Sequence, residues 1–197
     1  MKLDLFFAGV GGQGVMLVSD IFCEAAIAEG FDVSKAEIHG VAQRGGSINV
    51  FVRIGDKVLS PLFEEGTADI IIGFELLETA RALPMLKSDG TIVFNDRYIP
   101  PVYFSKGSPE NLKPETLIKL IHEKTSKAFE VDAQQIANKL GNPMVANFAL
   151  LGAVSALDEI SVQEAAFKKA ITNRIGKKWL NLNLQAFKIG HDIMSMA

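Results

Sequence analysis

One stretch near the N-terminus constrains this chain more than any other: LDLFFAGVGGQGVMLVSDIFCEAA. A compact apolar run, Leu3 to Ala8, ends in Gly9-Val10-Gly11-Gly12-Gln13-Gly14. Apolar residues then recur at Val15, Val18, Phe22, Ala25 and Ala26, close to helical spacing, up to Glu29, with Gly30 as a C-terminal cap. A buried strand, a glycine turn and a helix in that order form the context a G-x-G-x-x-G loop needs. The first glycine permits the tight turn. The second lets backbone approach an anion, and the third allows close helix–strand packing. The helix start offers free N–H groups to a phosphate or carboxylate. An acidic residue about twenty positions further on would bind a ribose. Glu37 stands near that place, yet it is followed by IHGVAQRGG, not the usual loop after such a carboxylate. The competing reading is purely architectural: the glycines only let strand and helix pack tightly.

Composition narrows the function classes. With 197 residues the chain fits one domain or one domain with an appendage. A net charge of -3 gives no reason to expect a nucleic-acid partner, which calls for a basic stripe. The apolar runs are short and broken by Gly or Asp, so none reads as membrane-spanning. The apolar N-terminus is interrupted by Asp4 and runs into the glycine loop, so it reads as a first strand, not a signal peptide, and a cytoplasmic location is expected. Cys23 is the single cysteine, which excludes an internal disulfide and an iron–sulfur cluster held by several cysteines of this chain. Its place in the first helical pattern, beside Ile21 and Phe22, predicts a packed and inert thiol.

Further along, strands and helices alternate. Val33 to Ile38 reads as a weak strand, and HGVAQRGG as a loop. Ser47 to Ile54 alternates with period two, and Gly55-Asp56 predicts a tight turn into an antiparallel hairpin ending near Pro61. ADIIIGFE and GTIVFND read as buried strands around a helix, LLETARALPMLK, that Pro84 kinks or ends. PPVYFSKG reads as a loop or edge strand. Pro114 to Lys124 reads as a helix, KAFEVDA as a short strand, and DAQQIANKLG as a helix capped by Asp132 and stopped by Gly141. MVANFALLGAVSAL is apolar on nearly all sides and predicts a buried helix. Ser161 and Glu164 stand at capping-box spacing before the next helix, and KWLNLNLQAFKIGHDIM closes the chain. The expected fold is α/β: a Rossmann-like, mostly parallel sheet with an antiparallel hairpin and a helical C-terminal part. The expected organisation is a single domain over 1–197, with an α/β core over 1–141 and a helical extension over 142–197 packed on it.

The remaining chemistry is sparse. His39, His122 and His191 lie far apart and have no companions at metal-ligand spacing, and no convincing acid–base set stands out. His122 and His191 read as ordinary surface residues. His39 differs, because it belongs to EIHGVAQRGGS, where Gln43 and Arg44 are polar and Gly40, Gly45 and Gly46 ask for special backbone conformations. Arg44 suits a bidentate contact with a carboxylate or phosphate. This loop should emerge at the same carboxyl edge of the sheet as Gly9–Gly14, where open α/β sheets bind ligands. Its bland alternative is an exposed loop whose polar residues cap backbone groups.

The motifs GVGGQG and AQRGG together, with SPL, ADIIIGFELLETARALPML and ANFALLGAVSAL, resemble the small subunit of the 2-oxoacid:ferredoxin oxidoreductases. The similarity is to the indolepyruvate type and also to the gamma subunit of the pyruvate and 2-oxoglutarate types. The resemblance implies oxidative decarboxylation of a 2-oxoacid, notably an arylpyruvate, to the acyl-CoA, with ferredoxin as acceptor. It implies a complex that uses thiamine diphosphate, magnesium, iron–sulfur clusters and coenzyme A. This chain has neither a cysteine cluster nor the Gly-Asp-Gly…Asn signature of a thiamine diphosphate site, so those groups are expected on a large partner subunit. No catalytic residue is assigned here. Gly9, Gly11, Gly12, Gln13, Gly14, His39, Gln43, Arg44, Gly45 and Gly46 are carried over as motif positions. The first set would face coenzyme A, or the second would meet the partner's cofactor cleft. The rival readings are a free-standing nucleotide-binding Rossmann enzyme with Glu37 on the ribose, and a non-catalytic assembly module.

Overall fold

The structure, a computed structural model, describes residues 2–40, 45–100 and 112–196. The elements run β1 (Lys2–Val10), α1 (Val15–Ala28), β2 (Asp32–His39), β3 (Ser47–Gly55), β4 (Ala68–Gly73), α2 (Leu76–Ala82), β5 (Leu86–Asn95), α3 (Pro114–Lys124), β6 (Ala128–Val131), α4 (Ala133–Lys139), α5 (Ala146–Ser155), α6 (Glu164–Arg174) and α7 (Lys177–Ser195). The six strands form one sheet in the order β2-β3-β1-β4-β5-β6. β1, β4, β5 and β6 are parallel. β3 runs antiparallel to both of its neighbours, β1 and β2. The α/β class with a mostly parallel sheet is therefore what the sequence predicts.

The antiparallel pairing differs from the expected hairpin. β3 stops at Gly55, and residues 56–67 form no strand. Its partners are β2 upstream and β1, both paired along its whole length. A strand formed after Gly55 would find both edges of β3 already taken. Instead the segment is held by scattered contacts: Val58 N donates to Asp32 Oδ2 at 2.9 Å, Arg53 reaches the Ser60 carbonyl at 3.2 Å, Gly66 N donates to Pro84 O at 2.8 Å, and the Phe63 ring packs on Phe51.

β1 lies in the middle of the sheet and is buried on both faces. Leu3, Leu5 and Phe7 enter a core built with α1, α5, α6 and α7, while Phe6 and Ala8 face α2 and α3. Asp4 is buried in the same strand. It takes a two-pronged contact from Arg53 (2.5 and 3.0 Å), which satisfies the charge that burial would otherwise penalise. α5 is buried along nearly its full length and crosses α7 closely. At that crossing a Cβ on Gly152 would run into the Phe187 carbonyl, and one on Gly190 into the Ala149 carbonyl. Only glycine lets these backbones meet.

Local signals are realised in most places. Gly30 (φ +89°) follows α1; its N–H bonds Ile27 O and that of Phe31 bonds Ala26 O, closing the helix end. Asp132 caps α4 through Gln135 N at 2.7 Å. Pro84 sits in a short 3-10 turn after α2. α6 starts at Glu164, with Gln163 at the cap position and no cap bond from the Gln163 side chain. PPVYFSKG lies outside the described residues from position 101 on. No helix among the described residues is long and apolar enough to cross a membrane.

Candidate functional site

At the carboxyl edge of the sheet, β1 ends in the glycine turn. Gly9 has no room for a side chain: a Cβ would come within 2.8 Å of Phe74 Cβ and of Val15 Cγ2. Gly12 (φ +98°) and Gly14 (φ +78°) hold left-handed conformations. Gly14 stands at the cap position of α1 without a side-chain cap, and a Cβ there would collide with Asn147 Nδ2.

The two motif loops come together. Gly11 N donates to Gly46 O at 2.8 Å, and Gly45 N donates to Gly11 O at 3.3 Å. Antiparallel pairing of β1 with β3 thus continues into both loops. His39 is exposed, with Nδ1 3.2 Å from the Gly40 carbonyl. Gln43 and Arg44 lie outside the described residues.

Gln13 is occupied within the fold. Its Oε1 accepts from Val10 N at 2.9 Å and its Nε2 donates to Phe74 O at 2.9 Å. β1 leads through α1 to one side of the sheet and β4 leads through α2 to the other. The gap between β1 and β4 is therefore the switch point at which such sheets take ligands. Gln13 bridges that gap, and the open space lies to the side of it.

That space is a cavity of about 250 Å³ between the glycine turn, the end of β5 and the start of α5, lined by Gln13, Phe74, Asn95, Arg97 and Asn147 among others. A wider apolar groove, about 760 Å³, adjoins it along Met16, Met144 and Trp179. Asn95 and Asn147 are residues that motif reading missed. The one available signal was Asn147, a lone amide inside an otherwise apolar helix. Below the rim, Glu75 caps α2 through Glu78 N (2.9 Å) and holds Ile99 N (2.8 Å). Burial pushes its carboxyl above the usual range, against those backbone bonds. Glu78 in turn accepts from Ser47 Oγ at 2.6 Å, tying α2 to the first residue of β3.

Two placements bear on the rival readings. Glu37 lies on β2, and β3 separates it from β1, so it stands two strand spacings, about 10 Å, to the side. It is engaged with Lys35 at 2.6 Å. The insertion of β3 removes the geometry that would place a ribose carboxylate beside the glycine turn. Cys23 is buried, and its thiol is pushed up to about 12, chiefly by burial. A lone buried thiol offers nothing for an iron–sulfur cluster, and no group of His, Cys, Asp or Glu suited to a metal occurs among the described residues. His122 is exposed, against the Phe94 ring. His191 is half-buried near Phe187, where a surface position was expected.

Fold and edge together define a Rossmann-like chain whose glycine turn is paired with a second glycine loop and braced by a glutamine. The chain belongs to the pyruvate ferredoxin/flavodoxin oxidoreductase family, which residues 4–193 match. It is 33% identical over 190 residues, 96% of this chain and 94% of the other, to the indolepyruvate oxidoreductase subunit IorB of Thermococcus kodakarensis. It is 32% identical to the pyruvate/ketoisovalerate oxidoreductases common subunit gamma of Pyrococcus abyssi, covering 94% of this chain and 96% of that one. The 2-oxoglutarate:ferredoxin oxidoreductase of Magnetococcus marinus, solved with 2-oxoglutarate, coenzyme A and succinyl-CoA bound, shares the fold (TM-score 0.75, 21% identity). There all of this chain corresponds to 31% of the longer chain. The protein is thus homologous to subunits of 2-oxoacid:ferredoxin oxidoreductases.

Proposed function

We propose that this chain is the small subunit of an indolepyruvate-type 2-oxoacid:ferredoxin oxidoreductase acting in the cytoplasm. Similarity over nearly the whole length to an indolepyruvate oxidoreductase subunit is the observation that carries the reading. The reaction loses CO2 from an arylpyruvate, transfers the acyl group to the thiol of coenzyme A, and passes two electrons to ferredoxin. One buried cysteine does not equip this chain for the electron-transfer part, so a large partner subunit would carry the clusters, thiamine diphosphate and magnesium. Thiamine diphosphate there would supply the carbanion chemistry of decarboxylation.

The role assigned to this chain is to complete the partner's site. The motif positions Gly9–Gly14 and His39–Gly46, paired where Gly11 meets Gly45 and Gly46, would face coenzyme A or the partner's cofactor cleft. Free N–H groups at the start of α1 suit an anionic group there. A second reading, gamma subunit of a pyruvate-type or 2-oxoglutarate-type enzyme, is favoured by the nearly equal identity to the pyruvate/ketoisovalerate subunit.

Co-expression with the large chain tests this. The chain alone should be inactive, and the pair should reduce ferredoxin with indolepyruvate and coenzyme A. Preference for pyruvate or 2-oxoglutarate would select the second reading. Absence of oxidation with every 2-oxoacid, or activity of the isolated chain, would reject both.

A further inference from the structure

The two edges of the sheet differ in kind. β6, at one edge, is four residues long. β2, at the other, runs for eight residues in unbroken register with β3. Among the described residues no other strand pairs with β2, so one row of its backbone N–H and C=O groups faces no strand. An edge of this length is ordinarily blunted by a proline, a bulge or an outstanding lysine charge. β2 has no proline and no bulge against β3. Its one lysine is neutralised: Lys35 Nζ lies 2.5 Å from Asp20 Oδ1 and 2.6 Å from Glu37 Oε1.

We propose that β2 is a docking edge for a second copy of this chain, joining two six-stranded sheets into one by antiparallel β2–β2 pairing. The strand is complementary to itself. With the two-fold axis at Ala36, Lys35 of each copy stands opposite Glu37 of the other, Cβ atoms about 5 Å apart. Moving the axis by one residue sets Lys35 against Lys35 or Glu37 against Glu37, which repel. The period-two alternation of side chains forbids the registers in between. The opposite face of the strand agrees. Ile38 is 53% exposed there, and the segment after β3 carries exposed Leu59 and Leu62. That segment crosses the same face, since its Phe63 packs on Phe51, the cross-strand neighbour of Ala36. In the chosen register Ile38 lies opposite Ser34 of the other copy, near the end of β2 where Asp32 holds Val58. Exposed apolar groups of the two copies are thereby brought to one place. This inference goes beyond the proposed function and does not rest on it.

Sedimentation of the full chain tests this, and should show a dimer that dissociates on dilution. Lys35→Glu and Glu37→Lys each set like charges opposite one another twice, and each should weaken self-association at least about tenfold. Mixed in equal amounts, the two variants should dimerise again, because each supplies the charge the other lacks. Mixing would not repair a folding defect. Ala36→Cys reads the register. Directly opposed residues of an antiparallel pair stand within disulfide reach, so this variant should cross-link to itself on oxidation. Ser34→Cys should not, because its opposite residue is Ile38. Cys23 is buried and stays silent. If the charge variants fail to fold, the two cysteine variants carry the test. With the large subunit co-expressed, the Ala36→Cys cross-link should still join two copies of this chain. A monomer at every concentration, charge variants that associate as the parent does, a mixture that stays monomeric, or Ala36→Cys captured by the large subunit would each overturn the proposal.

Discussion

The Gly11 N–H donates to the Gly46 carbonyl at 2.8 Å, so two loops far apart in sequence form one rim. Gly45, at φ +73°, returns a bond to the Gly11 carbonyl. The rim is backbone pairing held by residues in left-handed conformations, and that separates two kinds of glycine. A Cβ on Gly12 or Gly45 meets nothing within 4 Å, whereas one on Gly14 strikes Asn147. Gly12→Ala and Gly45→Ala should each cost about 1–2 kcal/mol from backbone strain alone. Gly14→Ala should cost more. Urea unfolding of the three variants checks the order, and equal losses would contradict it.

Gln13 couples the glycine turn to the end of β4 through both atoms of its amide. Gln13→Leu strands Val10 N and Phe74 O together, for a loss of about 2–4 kcal/mol. Gln13→Glu keeps an acceptor for Val10 N but sets a carboxylate against the Phe74 carbonyl. That variant should be destabilised at neutral pH and recover in acid, once the added carboxyl protonates and can donate. A flat pH response of its unfolding free energy would count against the bridging role.

The α5–α7 crossing gives a prediction opposite in sign to helix propensity. Alanine in place of a mid-helix glycine ordinarily gains up to about 1 kcal/mol. At Gly152 and Gly190 the added Cβ meets a carbonyl of the other helix. Gly152→Ala should therefore lower stability by about 1–3 kcal/mol. Calorimetry should show a fall of about 2–4 °C per kcal/mol for a chain of this size.

Glu75 makes stability depend on pH. Its folded carboxyl lies above the ordinary value of 4.5, mainly through burial. A raised group favours the folded chain while protonated. Its contribution is complete below the unfolded pKa and is lost as pH rises through the folded pKa. Unfolding free energy should thus carry a term that declines from 4.5 upward. Glu75→Gln removes that slope while adding a constant loss, since an amide NH2 must face one of the two backbone N–H groups. An unchanged slope would show that Glu75 is not the titrating group.

The Cys23 thiol, pushed up to about 12, holds almost no thiolate at neutral pH. Labelling by a disulfide reagent should be negligible in the folded chain. It should rise with denaturant along the unfolding curve, and fast labelling without denaturant would refute the burial.

What the sequence determined by itself was local. The apolar run, the glycine turn, the helix over Pro114–Lys124, the Asp132 cap and the Gly30 stop all rest on interactions within a few residues. The amino-acid order carries those directly. The Ser161–Glu164 spacing did not mark the helix boundary, since α6 starts at Glu164 itself. The tertiary structure alone decided the rest. β3 enters between β1 and β2 because both accept it along their full length, and that choice displaced the expected hairpin and moved Glu37 away from the glycine turn. Gln13 looks like a ligand residue in the motif, yet it spends its amide on Phe74, 61 positions away. Asn95 and Asn147 become neighbours of one cavity only once β5 and α5 are packed. Strand order and the satisfaction of buried polar groups depend on contacts between distant residues. No spacing along the chain encodes them.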